Sequence, residues 1–400
     1  MILPLIIYRS LRQHLFSTVI TASSIALAGA LLMAVWIVRE ESRAAFTGMS
    51  GGYDAVLGPR SSKLQLILNA VFHLEQSPGT LTLAEFELIK TNPAIELAVP
   101  LAMGDNYKGF RVVGTSLDFF APSQRGQFVV RPPGRLFDPE AQEAVVGSYV
   151  AERLKIKRGD TIHPYHGLLF NEADQHAESY VVVGILEPSN TPADRVIWIP
   201  LAGLQHMSGH AEETTDEISA VLLRIKGSSA MAARQLDTKY NKEETRLTFA
   251  WPIAQTVAQL FDKIAWFDRV LELVSYLVAL VAIASVVASI YTSLAQRRRD
   301  IAIFRALGAR KRTIWGLIIS EAAVIAGIGA VVGWVLTFVI LGFVSQIIRK
   351  NTGVVLDPLK FHPVLVLAPI FLVLTSALAA AIPAWRAYGT DVARNLTPIS

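Results

Sequence analysis

Histidines crowd one stretch of this chain, at His163, His166, His176, His206 and His210. Imidazole nitrogens hold zinc-class ions at about 2 Å when about four donors converge, and His206-x3-His210 has the spacing of one helical face. Gly209 opposes a helix there, so solvated loop histidines are the plainer reading. A metal set drawn from His163, His166, His206 and His210 stands as the alternative. A second group is basic: Arg297, Arg298, Arg299, Arg305, Arg310, Lys311 and Arg312 surround one acid, Asp300. Such a cluster can pair with carboxylates of a protein partner or with anionic lipid. Other chemistry is missing. The sequence has no Gly-Lys dipeptide, so the loop that cradles nucleotide phosphates is absent. Gly147-Ser148-Tyr149 lacks the second glycine of a nucleophile elbow and reads as a helix start. With no cysteine, disulfides and thiolate chemistry are excluded.

The elements that position these groups follow from hydropathy. The chain is 52% hydrophobic and 18% charged, too apolar for an ordinary soluble enzyme and too interrupted by charge for a pure membrane bundle. A bilayer core about 30 Å thick needs about 20 apolar residues of helix. Leu15–Val38, Leu273–Ala295, Ala322–Phe343 and Pro363–Trp385 meet that length. Ala26-Leu27-Ala28 resembles a signal-peptidase site, but the uncharged run continues to Val38 and favours a retained anchor. The basic cluster between the second and third spans marks a cytoplasmic loop. Counting crossings from it places both termini inside and Arg39–Glu272 outside. Arg349, Lys350 and Lys360 fall on the outer side against this rule. A net charge of +4 concentrated beside the membrane gives no nucleic-acid surface.

The expected fold is therefore an α-helical membrane protein with four transmembrane helices, plus a mixed α+β extracytoplasmic domain inserted between helices 1 and 2. The divisions are 1–38 for the N-terminus and first span, 39–272 for the outer domain and 273–400 for the remaining spans. Within the insertion Ala94–Leu101, Phe110–Gly114, Ala144–Gly147, Tyr180–Leu186, Val196–Pro200 and Ala220–Ile225 read as strands. Thr82–Thr91 reads as a helix opened by a Thr82/Glu85 capping box, Gly147–Leu154 as a second helix, and Ser208–Asp216 as a loop.

Gln296–Glu321, QRRRDIAIFRALGARKRTIWGLIISE, resembles the cytoplasmic loop and following helix of MacB/FtsX-type ABC transporter permeases. Asp300, Arg305–Ala309, Glu321, Gly327, Gly329 and Gly333 occupy the places of that pattern, and Ile382–Ala387 is similar to the family's last-span ending. Gly134–Ile162 and Tyr180–Leu201 look like its extracytoplasmic core domain. The resemblance implies a bacterial inner-membrane permease that pairs with a second permease protomer and docks a cytoplasmic ABC ATPase. ATP and Mg would be bound by that partner, with no cofactor and no catalysis in this chain. Transport or extrusion of a lipid, lipoprotein, peptide or drug is the implied function, with a periplasmic adaptor, lipoprotein or binding protein as a further candidate partner. The alternatives are a mechanical regulator of a periplasmic partner and a component of a zinc-linked uptake system.

Ile301–Leu307 has Asp300 as N-cap, Gly308 as C-cap and apolar Ile301, Phe304 and Leu307 at every third place. This makes a candidate ATPase-coupling helix, with Arg298, Arg299 and Arg305 pairing to carboxylates; a lipid-bound interfacial helix is the alternative. Glu321 reads as an interfacial acid paired with a basic loop residue, and Gly327, Gly329 and Gly333 as helix-packing positions. Leu64, Ile67, Leu68, Val71 and Phe72 line one face of a helix over Lys63–Glu75. The expectation is a core-facing stripe, with substrate or membrane contact as its alternative.

Overall fold

The computed structural model describes residues 3–48, 52–121, 128–168, 170–208, 216–243, 246–296, 303, 308–352 and 360–388. The chain divides into two compact units, one built from 1–41, 264–346 and 357–400, the other from 42–263 and 347–356.

The first unit is helical. Among the described residues, four helices are long and apolar enough to cross a membrane: Leu15–Ala45, Ala265–Leu294, Arg312–Lys350 and Val364–Trp385. Their core is made of small side chains. Ala22, Ala28, Ala279, Ala282, Ala322, Ala326 and Ala380 pack with Ile25, Val286, Ile290, Ile325 and Leu372. Lipid tails are as apolar as leucine, so close packing of small residues rather than water exclusion draws such helices together.

The hydropathic spans are segments of longer helices. Leu15–Gly48 has 34 residues, Ile253–Gln296 has 44 and Lys311–Thr352 has 42. At 1.5 Å per residue the second measures about 66 Å, twice the bilayer core. Sequence hydropathy marks the apolar part of each helix and stops where polar turns continue it.

The second unit is the mixed α/β insertion. Its strands are β1 (Ala55–Pro59), β2 (Leu81–Thr82), β3 (Ile95–Tyr107), β4 (Phe110–Thr115), β5 (Glu143–Val146), β6 (Thr161–Ile162), β7 (Tyr165–His166), β8 (Tyr180–Ile185), β9 (Val196–Pro200), β10 (Glu217–Ile218), β11 (Ala220–Ile225) and β12 (Leu247–Ala250). Ten of them form one mixed sheet in the order β12-β1-β11-β3-β4-β9-β5-β8-β6, with β7 added to β3; β2 and β10 pair separately. Every residue of β1, β9 and β12 is buried, as expected for strands covered on both faces.

Three buried clusters cover the sheet. One is centred on Trp198, fully buried and stacked on Phe119 at 4.1 Å between ring centroids. A second gathers Leu57, Phe86, Ile89, Leu223, Leu236 and Phe249. The third joins Val146, Val150, Ile162, Tyr180 and Ile199.

The helix Leu83–Lys90 begins with Thr82 and Glu85 in a reciprocal capping box, worth about 1 kcal/mol. Ser148–Leu154 starts after Gly147, so Ser148 opens a helix.

The long strand β3 changes partners along its length. It pairs β11 from Ile95 to Leu101 and β4 from Leu101 to Tyr107. Its ladder to β4 slips between Met103, opposite Val113, and Asp105, opposite Val112, leaving Gly104 as an extra residue. A bulge of this kind re-aims the side chains that follow it. The strand's far end then pairs β7 with Asp105 opposite His166.

Candidate functional site

At the helical unit's core, Gly329 and Gly333 lie against the first span. A Cβ on Gly329 would come within 2.7 Å of the Ala22 carbonyl oxygen, and one on Gly333 within 2.7 Å of that of Ala26. Gly327 does not share this role among the described residues, since nothing lies within 4 Å of its Cβ position. The reason is angular: positions 329 and 333 are four apart on one helical face, whereas 327 is turned away.

Glu321, 7% exposed, accepts a hydrogen bond from the Ser10 hydroxyl. The sequence reading assigned it a basic loop partner, and most of that loop lies outside the described residues. Arg298, Arg299, Asp300, Ile301, Phe304, Arg305 and Leu307 all fall there. Gly308 is described: it is exposed, with φ of +93°, the left-handed region in which helix-terminating glycines sit.

Two of the basic residues that ran against the charge rule, Arg349 and Lys360, are paired. Within the helical unit, Lys360 Nζ lies 2.7 Å from Glu41 Oε1, and His362 Nε2 lies 3.1 Å from the same oxygen. In the α/β unit Arg349 pairs with Glu152 and covers the Tyr149 ring. Three further ion pairs, from Arg39 and Arg43, tie Leu15–Gly48 to Ile253–Gln296. Arg39 faces Asp268 at 3.6 Å and Glu272 at 3.8 Å in the helical unit, and Arg43 meets Asp262 at 2.9 Å in the other.

The apolar stripe beyond the first span belongs to the insertion's core. The helix is shorter than read, Lys63–Ala70 with Ser62 as N-cap, and its buried side chains include Leu66, Ile67 and Ala70. Ile67 and Phe72 are core residues, which removes them from substrate or membrane contact; Leu64, Leu68 and Val71 are partly buried. The helix stops because His73 takes φ of +54°. His73 is buried against Trp198 at 5.6 Å between ring centroids. Burial, reinforced by Arg111, pushes its pKa down to about 3.

The histidines are regrouped by the fold. His163 is half-buried; His206 is exposed, and its Nδ1 lies 2.8 Å from the Ala202 carbonyl in its own turn. His210 lies outside the described residues. Among the described residues, His163 and His206 do not join His166 in a group of metal-ligating side chains. His166 instead meets His176 and Asp105, an acid missing from the sequence reading. Asp105 Oδ1 lies 3.4 Å from His166 Nδ1 and 3.3 Å from His176 Nε2. The Asp105 hydrogen-bond contact, working against burial, holds the His176 imidazole above its ordinary range.

Each member has a backbone reason for its place. Asp105 follows the Gly104 bulge, and His166 sits directly across the ladder. The His176 amide donates to the Pro164 carbonyl at 3.0 Å, beside the Tyr165↔Gln175 bridge. The strand expected over Ala94–Leu101 stops short of Gly104-Asp105-Asn106, and the signal that could have extended it was the Tyr165-His166 segment that pairs with Asp105 and Asn106.

Gly48-Met49-Ser50-Gly51-Gly52 does have Gly-x-Ser-x-Gly spacing. It follows a helix and precedes β1, the reverse of the strand-turn-helix setting that exposes a nucleophile.

Comparison with known proteins fits this architecture. Residues 18–238 match the family described as MacB-like periplasmic core domain, and residues 272–392 match FtsX-like permease C-terminal. No curated protein matches the sequence. Similar solved structures include the periplasmic region of MacB from Actinobacillus actinomycetemcomitans, at 11% identity, 53% coverage of this chain, 94% of that one and a TM-score of 0.37. Another is the extracellular domain of the noncanonic ABC-type transporter YknZ from Gram-positive bacteria, at 17% identity, 49% and 98% coverage and a TM-score of 0.30. With its first match spanning more than half of its length and its second the remaining helices, the chain belongs to the MacB/FtsX-like family of ABC transporter permeases.

Proposed function

We propose that this chain is the non-catalytic permease subunit of an ABC transporter, driven by an ATPase on a separate polypeptide and moving an amphiphilic cargo such as a lipid, lipoprotein, peptide or drug. Family membership supports the permease role, and the missing Gly-Lys sequence supports a separate motor.

The observation that carries the mechanism is the pair of long helices flanking the insertion in sequence, Leu15–Gly48 and Ile253–Gln296, each continuous and tied to the other by the Arg39 and Arg43 ion pairs. A helix resists compression along its hydrogen-bonded axis, so two such helices suit the transmission of a stroke begun at the ATPase. The segment Ile301–Leu307 would receive that stroke, with Phe304 in the partner's groove and Arg298, Arg299 and Arg305 on its carboxylates. Both termini and the basic loop would then face the cytoplasm, and a second protomer would complete the permease.

The test begins with purified full-length chain, which should neither bind nor hydrolyse ATP, whereas addition of the cognate ATPase should give a stable complex. Phe304→Asp should lose that complex while still inserting into the membrane. Stoichiometric ATP binding by the chain alone, or normal docking by Phe304→Asp, would overturn the reading. For orientation, a cysteine replacing exposed Ser228 should react with an impermeant thiol reagent outside intact cells, and one replacing Ala309 should not.

A further inference from the structure

We propose that Asp105, His166 and His176 form a binding site for a divalent transition-metal ion of the zinc class. The inference is independent of what the permease moves.

The ligand atoms are gathered already. One donor atom from each of the three residues lies within 4.8 Å of the others. Zinc binds imidazole nitrogen and carboxylate oxygen at about 2.0–2.2 Å, and tetrahedral angles then set neighbouring donors about 3.4 Å apart. The observed separations of 3.4 Å to His166 and 3.3 Å to His176 match that spacing. They are long for charge-assisted hydrogen bonds, which close to about 2.7–2.9 Å.

Proton placement points the same way. His176 Nδ1 lies 2.6 Å from the Ser208 carbonyl oxygen. A carbonyl oxygen can only accept, so Nδ1 carries the proton. In the neutral ring the lone pair of Nε2 then faces the Asp105 carboxylate, an arrangement satisfied either by a metal ion between them or by a second proton on the imidazole. Fixing a ligand's tautomer through a carbonyl on its other nitrogen is the usual outer support of a metal-bound histidine. Ser208 is held in turn by Glu178, which accepts from its amide at 2.9 Å and from its hydroxyl at 2.8 Å.

Burial and access are divided between the ligands. The Asp105 side chain is fully buried and that of His176 is 3% exposed, while that of His166 is 57% exposed. A mixed nitrogen and oxygen set suits zinc over magnesium or calcium, which take oxygen. Three protein ligands leave the fourth position to water or to a donor from a partner. Since β7 carries only two residues, Tyr165 and His166, an ion here would clip the 165–176 excursion to the end of β3.

A protonated His176 held by Asp105 without metal is the competing account, and metal titration separates the two. Full-length chain is purified in detergent with its affinity tag removed, stripped with chelator, and titrated with zinc by calorimetry. Cobalt absorption supplies a second readout of tetrahedral coordination. Expected is about one zinc per chain, undisturbed by excess magnesium or calcium, and a melting temperature raised by zinc. Loss of an outer support to a metal costs about 10–100-fold in affinity, so His166→Ala and His176→Gln should each weaken binding at least that much. His166→Ala, being exposed, should melt like the parent when both are metal-free. His206→Ala with His210→Ala should leave the site intact. Zinc uptake by the parent no greater than by the His166→Ala, His176→Gln double variant would overturn the proposal.

Discussion

Gly333 and Ala26 touch backbone to backbone: a Cβ built on Gly333 would stand 2.7 Å from the Ala26 carbonyl oxygen and 3.1 Å from its Cα. Backbone cannot yield as a flexible side chain does, so any residue larger than glycine separates the third span from the first. Gly333→Leu should therefore lower the stability of the detergent-solubilised chain by at least about 1–3 kcal/mol, the usual cost of overpacking. Gly327→Leu, at a site with nothing within 4 Å among the described residues, should cost far less. Equal losses in melting temperature for the two variants would show that the Ala26 contact is not the source.

Spacing within the third span told which residues were small but not which face met a neighbour, so all three glycines looked alike in sequence. The outer domain was more legible. Runs such as Val196–Pro200 and Ala220–Ile225 became strands β9 and β11 at the expected places, because Val and Ile bounded by turn formers leave few alternatives. The Thr82 capping box was equally local. What escaped was non-local: β1 and β12 pair Val56 with Ala250 across most of the domain, and four or five residues carry no period long enough to read. Asp105 escaped for a related reason. The strand was read as ending at Leu101, and only its ladder to β4 and its pairing with β7 show it continuing through a bulge at Gly104.

His73 gives a pH dependence whose sign can be stated. Its folded pKa of about 3 lies below the ordinary value of 6.5, so between those values the unfolded chain binds the extra proton. Stability from this group is complete above about pH 6.5 and declines as pH falls toward 3. From pH 6.5 to 5 the loss is about 1.5 kcal/mol, its slope rising from half toward the full value of about 1.4 kcal/mol per pH unit. His73→Asn keeps a residue that tolerates the left-handed backbone and removes the titration. Its melting temperature should fall less than the parent's over that interval, and parallel curves would rule His73 out as the cause.

Thr82 and Glu85 make a smaller, local prediction. Thr82→Ala removes the acceptor for the Glu85 amide and leaves the Glu85 carboxylate, which also meets Arg246 at 3.1 Å, without half of its capping box. The expected loss is about 1 kcal/mol, and Thr82→Ser should restore most of it. Chemical denaturation of the full chain is the measurement; failure of serine to rescue would assign the loss to the threonine methyl group instead.

Arg43 and Asp262 test whether the two long helices move as one. Their side chains meet at 2.9 Å but are about half exposed, 45% and 61%, so the pair should contribute only about 0.2–1 kcal/mol to stability. Arg43→Ala or Asp262→Ala should therefore barely shift the melting temperature. Function is the sharper readout, because the pair lies between helices proposed to carry the stroke. Cysteines placed at both positions face no background, the parent having none, and a short bifunctional thiol reagent can then bridge them. If Leu15–Gly48 and Ile253–Gln296 travel together, the cross-link leaves ATP-driven transport intact in the complex with the ATPase. If they must slide past each other, transport stops on cross-linking and returns on cleavage of the bridge. The second result would remove the paired helices as the rigid element and shift transmission to Lys311–Thr352, the other helix long enough to extend beyond its span.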